Sequence, residues 1–207
     1  DIDGEVSGDY SGFYVSLSSD GNIVAIGAYN NDGNGSNSGH VRIYSYDGSS
    51  WNQIGADIDG EAAGDQSGVS VSLSSDGNTV AIGAMYNDGN GLNSGHVRIY
   101  NYNGSSWNQL GQDIDGEANN DGSGHSVSIS SDGNTVAIGA PSNDGNGNYS
   151  GHVRIYNFSG GSWVQLGNDI DGESTGDNSG YSVSLSSDGN TVAIGAPDND
   201  GNGSNYG

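Results

Sequence analysis

The sequence has no cysteine, two prolines and three basic residues among its 207 positions. Without cysteine, neither a disulfide framework nor a thiolate metal site can form. The 26 acidic residues give a formal net charge of −23. Binding to nucleic acid or to an anionic membrane surface is therefore not expected, because both require a basic face. No apolar run is long enough to span a bilayer as a helix, so membrane insertion is not expected either.

A helical pattern is also missing. No window carries apolar residues at the 3.6-residue spacing of a helix, and 39 glycines break up the apolar runs. Hydrophobic residues make up only 31% of the chain, which is too few for one thick core. These features favour an all-β chain stabilised by many thin contacts between repeated sheets.

One segment recurs four times with a constant period of 56 residues. In its second copy, Val71 and Leu73 alternate with serines. Val80 and Ile82 then alternate with small residues, and this period-two pattern is typical of strands. The Asp-Gly dipeptide at 76–77 favours a tight turn between them. The segment is therefore predicted to be a β-hairpin, and its copies occupy residues 14–28, 70–84, 126–140 and 182–196.

Two further strands complete the repeat. Strands one to four of the second copy are predicted at about 68–73, 79–84, 95–102 and 107–110. Four short antiparallel strands make a meander, and a repeated meander is one blade of a β-propeller. We predict a single array over residues 1–207, of the β-propeller type, with three full blades and part of a fourth. The predicted blades cover approximately residues 11–58, 67–114, 123–170 and 179–207, the last being incomplete.

The blades are expected to stack face to face. Strand two presents Val80 and Ile82 on one face. It presents Ala81 and Gly83 on the other, so the bulky face of one blade can pack on the small face of its neighbour. One aromatic column on the outer strand is predicted to seal the blade edges, and it contains Trp51, Trp107 and Trp163.

On these motifs, the chain resembles the bacterial FG-GAP repeats, relatives of the integrin α-subunit propeller. That family's pattern runs F-G-x-S-V, V-G-A-P and G-x-V-x-[VI]-[YF], often followed by an outer strand with tryptophan. The matching segments are SGYSV at 179–183, AIGAP at 193–197, GHVRIY at 151–156 and GSSW at 48–51. Serine replaces the phenylalanine in all four copies. A short SSDGN turn stands where integrin-type blades carry a D-x-D-x-D-G calcium loop, so the resemblance does not carry that calcium site over.

A different acidic motif is the main candidate for calcium. Asp-Ile-Asp-Gly-Glu places carboxylates at i, i+2 and i+4, and an extended loop with this spacing can turn hard oxygen ligands toward one cation. A second candidate is Asn-Asp-Gly-Asn-Gly at 31–35, 87–91, 143–147 and 199–203. The alternative for both motifs is a solvated polar turn. The predicted calcium ligands are Asp1, Asp3, Glu5, Asp57, Asp59, Glu61, Asp113, Asp115, Glu117, Asp169, Asp171 and Glu173.

Each complete third strand carries a His-x-Arg pair on one strand face. We predict that each guanidinium meets a loop carboxylate and fixes the blade, with ligand binding as the alternative. His125 departs from the repeat, but the sequence offers it no nucleophile or base as a partner. The chain is therefore predicted not to be an enzyme. The repeated pairs are His40 with Arg42, His96 with Arg98 and His152 with Arg154.

The repeat positions whose residue differs most among the four copies lie before strand one and after strand two. Antiparallel strands alternate in direction, so both segments are expected on one face of the propeller. Exposed aromatic residues there are typical partner anchors, and relaxed constraint on loop tips is the alternative. The predicted partner-binding residues are Phe13, Tyr29, Tyr86, Tyr149 and Tyr181.

These observations favour a secreted or cell-surface β-propeller segment that acts as a non-enzymatic binding, adhesion or structural assembly module, stabilised by calcium. The expected partners are a protein, a glycan or neighbouring copies of the chain. The alternatives are the propeller scaffold of a larger secreted enzyme and an open repeat filament. Because the fourth blade is incomplete, we expect the chain to belong to a longer array or to be ordered only within an assembly.

Overall fold

The computed structural model of the chain describes residues 1–201, which form seventeen β-strands and no helix. The first sheet contains β1 (Tyr14–Leu17), β2 (Ile23–Ala28), β3 (His40–Tyr46), β4 (Trp51–Gln53) and β5 (Ile58–Asp59). The second contains β6 (Ser70–Leu73), β7 (Thr79–Ala84), β8 (His96–Tyr102), β9 (Trp107–Gln109) and β10 (Ile114–Asp115). The third contains β11 (Ser126–Ile129), β12 (Thr135–Ala140), β13 (His152–Ser159), β14 (Ser162–Gln165) and β15 (Ile170–Asp171). A final hairpin contains β16 (Ser182–Leu185) and β17 (Val192–Gly195).

The first three sheets share one antiparallel topology, and each is one blade. In the first, the order is β1-β2-β3-β4, and β5 also pairs with β3. These repeated antiparallel meanders confirm the all-β, β-propeller-type array. The final hairpin supplies the first two strands of the fourth blade. The predicted end of that blade at 202–207 lies outside the described residues, and so do the last two residues of the fourth Asn-Asp-Gly-Asn-Gly copy.

The acidic motif differs from its prediction as a loop, because its second and third residues form a short strand in three of the four copies. Ile58 pairs with Val41 and Asp59 with His40, at the opposite end of β3 from the β4 pairing. The outer strand of the blade is thus interrupted and then resumes. The cause is burial, since Ile58 is only 6% exposed and lies in the core between the first two blades. A two-residue strand leaves too little alternation to be recognised in the sequence.

The hairpin turns form as predicted, with separate roles for their residues. Gly77 carries the positive φ, at 71°. Asp76 instead accepts hydrogen bonds through Oδ1 from the hydroxyl of Ser74 at 2.7 Å and from the backbone N–H of Asn78 at 2.9 Å. The aspartate therefore holds the turn closed, and the glycine lets the chain reverse.

The core lies between blades, as the bulky-against-small pattern predicts. Val80 and Ile82 of the second blade pack with Ala25 of the first. On the opposite face, the backbone of the next blade approaches so closely that a Cβ added at Gly83 would overlap the carbonyl oxygen of Gly124. The small residues of strand two are therefore required by the distance between neighbouring sheets.

Polar contacts join the blades at both edges. At the turns, the N–H of Ser19 donates to the carbonyl of Ser75 at 2.9 Å, and that of Ser75 donates to Ser131 at 3.0 Å. At the outer edge, the indole N–H of Trp107 donates to the carbonyl of Ile54 at 2.9 Å. Trp163 makes the equivalent bond to the carbonyl of Leu110 at 2.7 Å. The tryptophans of the second and third blades thus seal the blade edges, as predicted.

Candidate binding sites

The structure brings carboxylates from different copies of the acidic motif together. Asp57 begins one copy and Glu5 ends the preceding one, and both approach His40 on β3. The three acids within one copy do not share a cluster with one another. The arrangement recurs in three places, and the clusters are Glu5–His40–Asp57, Glu61–His96–Asp113 and Glu117–His152–Asp169.

The geometry of the three clusters is nearly constant. In the second cluster, His96 Nδ1 lies 3.9 Å from Glu61 Oε2 and 3.9 Å from Asp113 Oδ2. The same distances are 3.9 and 3.8 Å in the first cluster and 3.8 and 3.7 Å in the third. The histidine side chains are 2% exposed, whereas the glutamate side chains are 43–47% exposed. Each cluster is therefore closed on the histidine side and open toward solvent.

Neighbouring side chains hold the two carboxylates in place. Asp57 Oδ1 accepts a hydrogen bond from Gln53 Nε2 at 2.6 Å. Arg98 Nη1 lies 3.3 Å from Glu61 Oε1, which confirms the predicted contact of each guanidinium with a loop carboxylate. Equivalent arginine contacts of 3.7 Å occur in the first and third clusters. In each cluster, the other oxygen of the aspartate and of the glutamate faces the histidine.

The histidines of the second and third clusters favour the neutral form. Burial and the positive charge of Arg98 together lower the pKa of His96 to about 4, against the opposing effect of Asp113. Burial and Arg154 likewise lower the pKa of His152. A neutral imidazole at pH 7 retains a lone pair, which a cation can accept.

The remaining predicted metal ligands lie outside these clusters. Asp3 and Asp59 present their backbone carbonyls to the next blade, where they accept hydrogen bonds of 2.8 Å from Arg42 and Arg98. The carbonyl of Asp115 accepts the equivalent bond from Arg154 at 2.6 Å. The other members not found in a cluster are Asp1, Asp171 and Glu173, and all three are exposed.

The Asn-Asp-Gly-Asn-Gly loops use their polar groups to hold their own shape. Asn87 Oδ1 accepts a bond from the N–H of Gly89 at 2.8 Å, and its Nδ2 donates to the buried Asp65 at 3.0 Å. Asp88 Oδ1 accepts a bond from the N–H of Asn93 at 2.7 Å. These contacts favour the polar-turn interpretation of this motif. Calcium binding at the Asn-Asp-Gly-Asn-Gly loops stays a prediction, as does calcium binding at the Asp-Ile-Asp-Gly-Glu motif.

The segments before strand one and after strand two meet and form a surface that we call the loop face. In the first blade, the rings of Tyr10 and Tyr29 stack with centroids 5.4 Å apart, and Phe13 lies 5.0 Å from Tyr29 in an edge contact. Tyr10 and Phe13 are 57% and 58% exposed. The rings of His125 and Tyr181 form a similar pair at 4.7 Å. Drifted aromatic positions therefore meet in two separate groups on this face, Tyr10 with Phe13 and Tyr29, and His125 with Tyr181.

The loop face continues as a cleft between the second and third blades. The cleft has a volume of about 310 Å³, and Tyr86, His125 and Tyr149 contribute to its lining. Tyr149, like Tyr10, has a φ of 55°. This left-handed backbone conformation is unfavourable for bulky residues, and asparagine occupies the equivalent place of Tyr149 in other copies, as at Asn37 and Asn93.

Comparison with protein families identifies the repeat. The FG-GAP repeat family model matches residues 3–44 and 56–100. Residues 3–44 and 56–100 are FG-GAP repeats. The matched segments are the first two of the four copies of the 56-residue repeat, and this confirms the resemblance noted in the sequence.

Solved structures with the same fold include the hydrazine synthase of Kuenenia stuttgartiensis. Its TM-score to this chain is 0.55 at 14% sequence identity. The match covers 92% of this FG-GAP chain and 45% of that protein's chain, so the present chain spans less than half of its length. At this identity the similarity shows the fold alone. No curated protein matches the sequence, and residues 1–201 contain no helix able to cross a membrane.

The FG-GAP repeats contain two features that the sequence analysis did not assign. The histidine of each His-x-Arg pair faces two of the predicted acidic ligands, although only the acids were proposed to bind metal. The signal was present, because the histidine and the acids recur with the same period. Tyr10 and Tyr14 were also not named as partner anchors, yet Tyr14 lies 5.2 Å from Phe13 and extends the aromatic cluster.

Proposed function

We propose that this FG-GAP chain is a non-enzymatic binding module, located outside the cell or on its surface, that attaches to a partner through its loop face. The observation that carries the proposal is the exposed ring cluster of Tyr10, Phe13 and Tyr29. Apolar rings exposed together on a surface are typical of an interaction site, and tyrosine combines a large contact area with a polar tip. An adhesive role follows if the partner is fixed to a surface.

Backbone strain supports this use of the tyrosines. Tyr10 and Tyr149 occupy left-handed positions, which cost bulky residues about 1–3 kcal/mol each and cluster at functional sites. Glycine takes the equivalent place of Tyr10 at Gly122 with φ 63°. A bulky ring held in such a strained conformation supports a role for the two tyrosines in contacting a partner.

Charge narrows the class of partner. The net charge of −23 disfavours acidic partners. A neutral glycan fits the loop face best, because its rings can stack on aromatic side chains while its hydroxyls bond to the amides beside them. Such amides line a second cleft, which lies in the first blade next to the ring cluster and includes Asn30 and Asn37. A protein surface is the alternative.

The test compares two triple variants. Tyr29→Ser, Tyr86→Ser and Tyr149→Ser together should reduce binding to an array of neutral oligosaccharides at least 10-fold and leave the melting temperature nearly unchanged. The control changes the opposite end of the blades, with Asn22→Ser, Asn78→Ser and Asn134→Ser, and should keep binding. Binding that survives the tyrosine changes but is lost in the control would show that the wrong face was chosen.

Self-assembly is a second candidate function, favoured by the exposed face of the first blade. Val15 and Leu17 on β1 are 59% and 57% exposed. Their equivalents in the second blade, Val71 and Leu73, are 8% and 7% exposed because the first blade covers them. Another blade could cover β1 in the same way. Sedimentation velocity of Val15→Lys should show less self-association than the unmodified chain if a second copy covers this face.

A further inference from the structure

Each His-Glu-Asp cluster places a buried imidazole against two carboxylates. The side chains of His40, His96 and His152 are 2% exposed, and Nδ1 of each faces one oxygen of a glutamate and one of an aspartate. The chain repeats this arrangement of one nitrogen and two oxygen atoms three times, as expected of a set of ligands for a cation.

Neighbouring side chains orient the two carboxylates of each cluster toward the imidazole. In the second blade, Gln109 bonds to Asp113 Oδ1 and Arg98 contacts Glu61 Oε1. These contacts leave Asp113 Oδ2 and Glu61 Oε2 facing His96 Nδ1. Such positioning of ligands by an outer shell of hydrogen bonds is characteristic of metal sites.

The spacing also fits an ion better than direct contact. Distances of 3.7–3.9 Å from Nδ1 to the carboxylate oxygens are too long for hydrogen bonds. An ion bonded at about 2.0–2.2 Å would hold its ligand atoms roughly 3.3–3.6 Å apart. The carboxylates are partly exposed, so they can move inward by this amount and an ion with its water can reach them.

The donor set determines the class of metal. Calcium binds through oxygen ligands, whereas an imidazole nitrogen together with carboxylates suits a first-row transition ion such as Zn²⁺. We propose that each of the three clusters binds one divalent first-row transition-metal ion through His Nδ1 and one oxygen from each acid. In the second blade, Glu61 precedes the first strand and Asp113 follows the outer strand. The ion would therefore link residues at both ends of one repeat to His96 on its third strand.

The test counts bound ions in untagged, chelator-stripped protein. Titration with ZnCl₂ in a calorimeter should give three equivalents, and the zinc-loaded protein should melt at a higher temperature than the stripped protein. His96→Gln should bind two equivalents. The matched control is His125→Gln, which alters the one histidine outside the clusters and should still bind three.

Asp113→Asn provides a second test if His96→Gln does not fold, and it should also bind two equivalents. Failure of the stripped wild-type chain to take up zinc would overturn the proposal, as would three equivalents in both cluster variants. Zinc that raises the melting temperature equally in wild type and in His96→Gln would overturn it too, because the imidazole would then not be a ligand. These readouts are independent of glycan binding at the loop face.

Discussion

Arg98, on the third strand of the second blade, donates a hydrogen bond of 2.8 Å to the backbone carbonyl of Asp59, which ends the first blade. The same guanidinium lies over the ring of Tyr100, 5.6 Å from its centroid. Arg42 and Arg154 make equivalent contacts in their own blades. One side chain therefore joins two sheets and packs on its own sheet at the same time.

Replacing Arg98 with methionine should destabilise the chain by about 1.5–3 kcal/mol, the usual contribution of hydrogen bonds to charged groups. Arg98→Lys should lose less, because it keeps the charge but not the planar fork. Urea unfolding measures both free energies. A methionine variant within about 0.5 kcal/mol of wild type, the range of ordinary surface changes, would contradict a role for Arg98 in joining the blades.

Substitutions of the outer-strand tryptophans should lower the free energy of unfolding by amounts that follow how deeply each one is buried. Trp163 is 3% exposed and its indole N–H is bonded, so Trp163→Ala should cost about 3–5 kcal/mol. Trp163→Phe keeps a ring and loses the hydrogen bond, at a cost of about 1 kcal/mol for that bond. Trp51 is only half-buried, and Trp51→Ala should cost less than Trp163→Ala. Equal losses at the two positions would argue against sealing between blades.

A methyl group at Gly83 should disrupt the interface between the second and third blades, because the carbonyl oxygen of Gly124 is backbone and cannot rotate away. Gly195 is the matched control, since the atoms nearest to an added Cβ there all belong to Ser182 and the closest is its side-chain hydroxyl. We expect Gly83→Ala to lower the melting temperature strongly and Gly195→Ala to lower it slightly. Thermal unfolding followed by circular dichroism compares them, and the prediction fails if the two shifts are similar.

The turn aspartates should make stability depend on acid pH. Hydrogen bonds from Ser18 and from the backbone of Asn22 lower the pKa of Asp20 from 3.8 to about 2. Hydrogen bonds from Ser130 and Asn134 likewise lower the pKa of Asp132. A carboxyl with a lowered folded-state pKa stabilises fully above its unfolded pKa and loses that contribution as pH falls through the folded value.

The stability difference between wild type and a double Asp20→Asn, Asp132→Asn variant should therefore be largest above pH 4 and shrink toward pH 2. Comparing the two chains at each pH removes the general effect of titrating the other acids. Urea midpoints measured from pH 6 to pH 2 provide the test. A difference that stays constant across this range would contradict the assigned role of the turn hydrogen bonds.

The sequence was sufficient for the four longer strands of each blade and for the stacking of blades, but not for the two-residue strands. The pattern at Val80 and Ile82 is local, and its alternation with small residues identifies both the strand and the face that packs. The second strand was predicted at 79–84, and β7 covers Thr79–Ala84. The 56-residue period then extends this result to the other copies, because identical local patterns form identical local structures.

The clusters could not be derived in the same way. Glu61 and Asp113 are separated by almost one whole repeat, and their approach to His96 depends on how the interrupted outer strand turns back toward the third strand. Spacing within one motif suggested instead that Asp57, Asp59 and Glu61 act together. The short strand ends at Asp59, so the alternation that would place Glu61 on the same face as Asp57 and Asp59 does not continue to Glu61.

The ladder of serine bonds from Ser19 to Ser75 to Ser131 connects each hairpin only with the next one. A molecule held together in this way behaves thermodynamically as a row of neighbours, in which each unit has its own stability and shares one coupling energy with each adjoining unit. Amides of the second blade, covered on both sides, should therefore open to solvent exchange far less often than those of β16 and β17. Loss of order would begin at an uncovered sheet and travel inward, one repeat at a time.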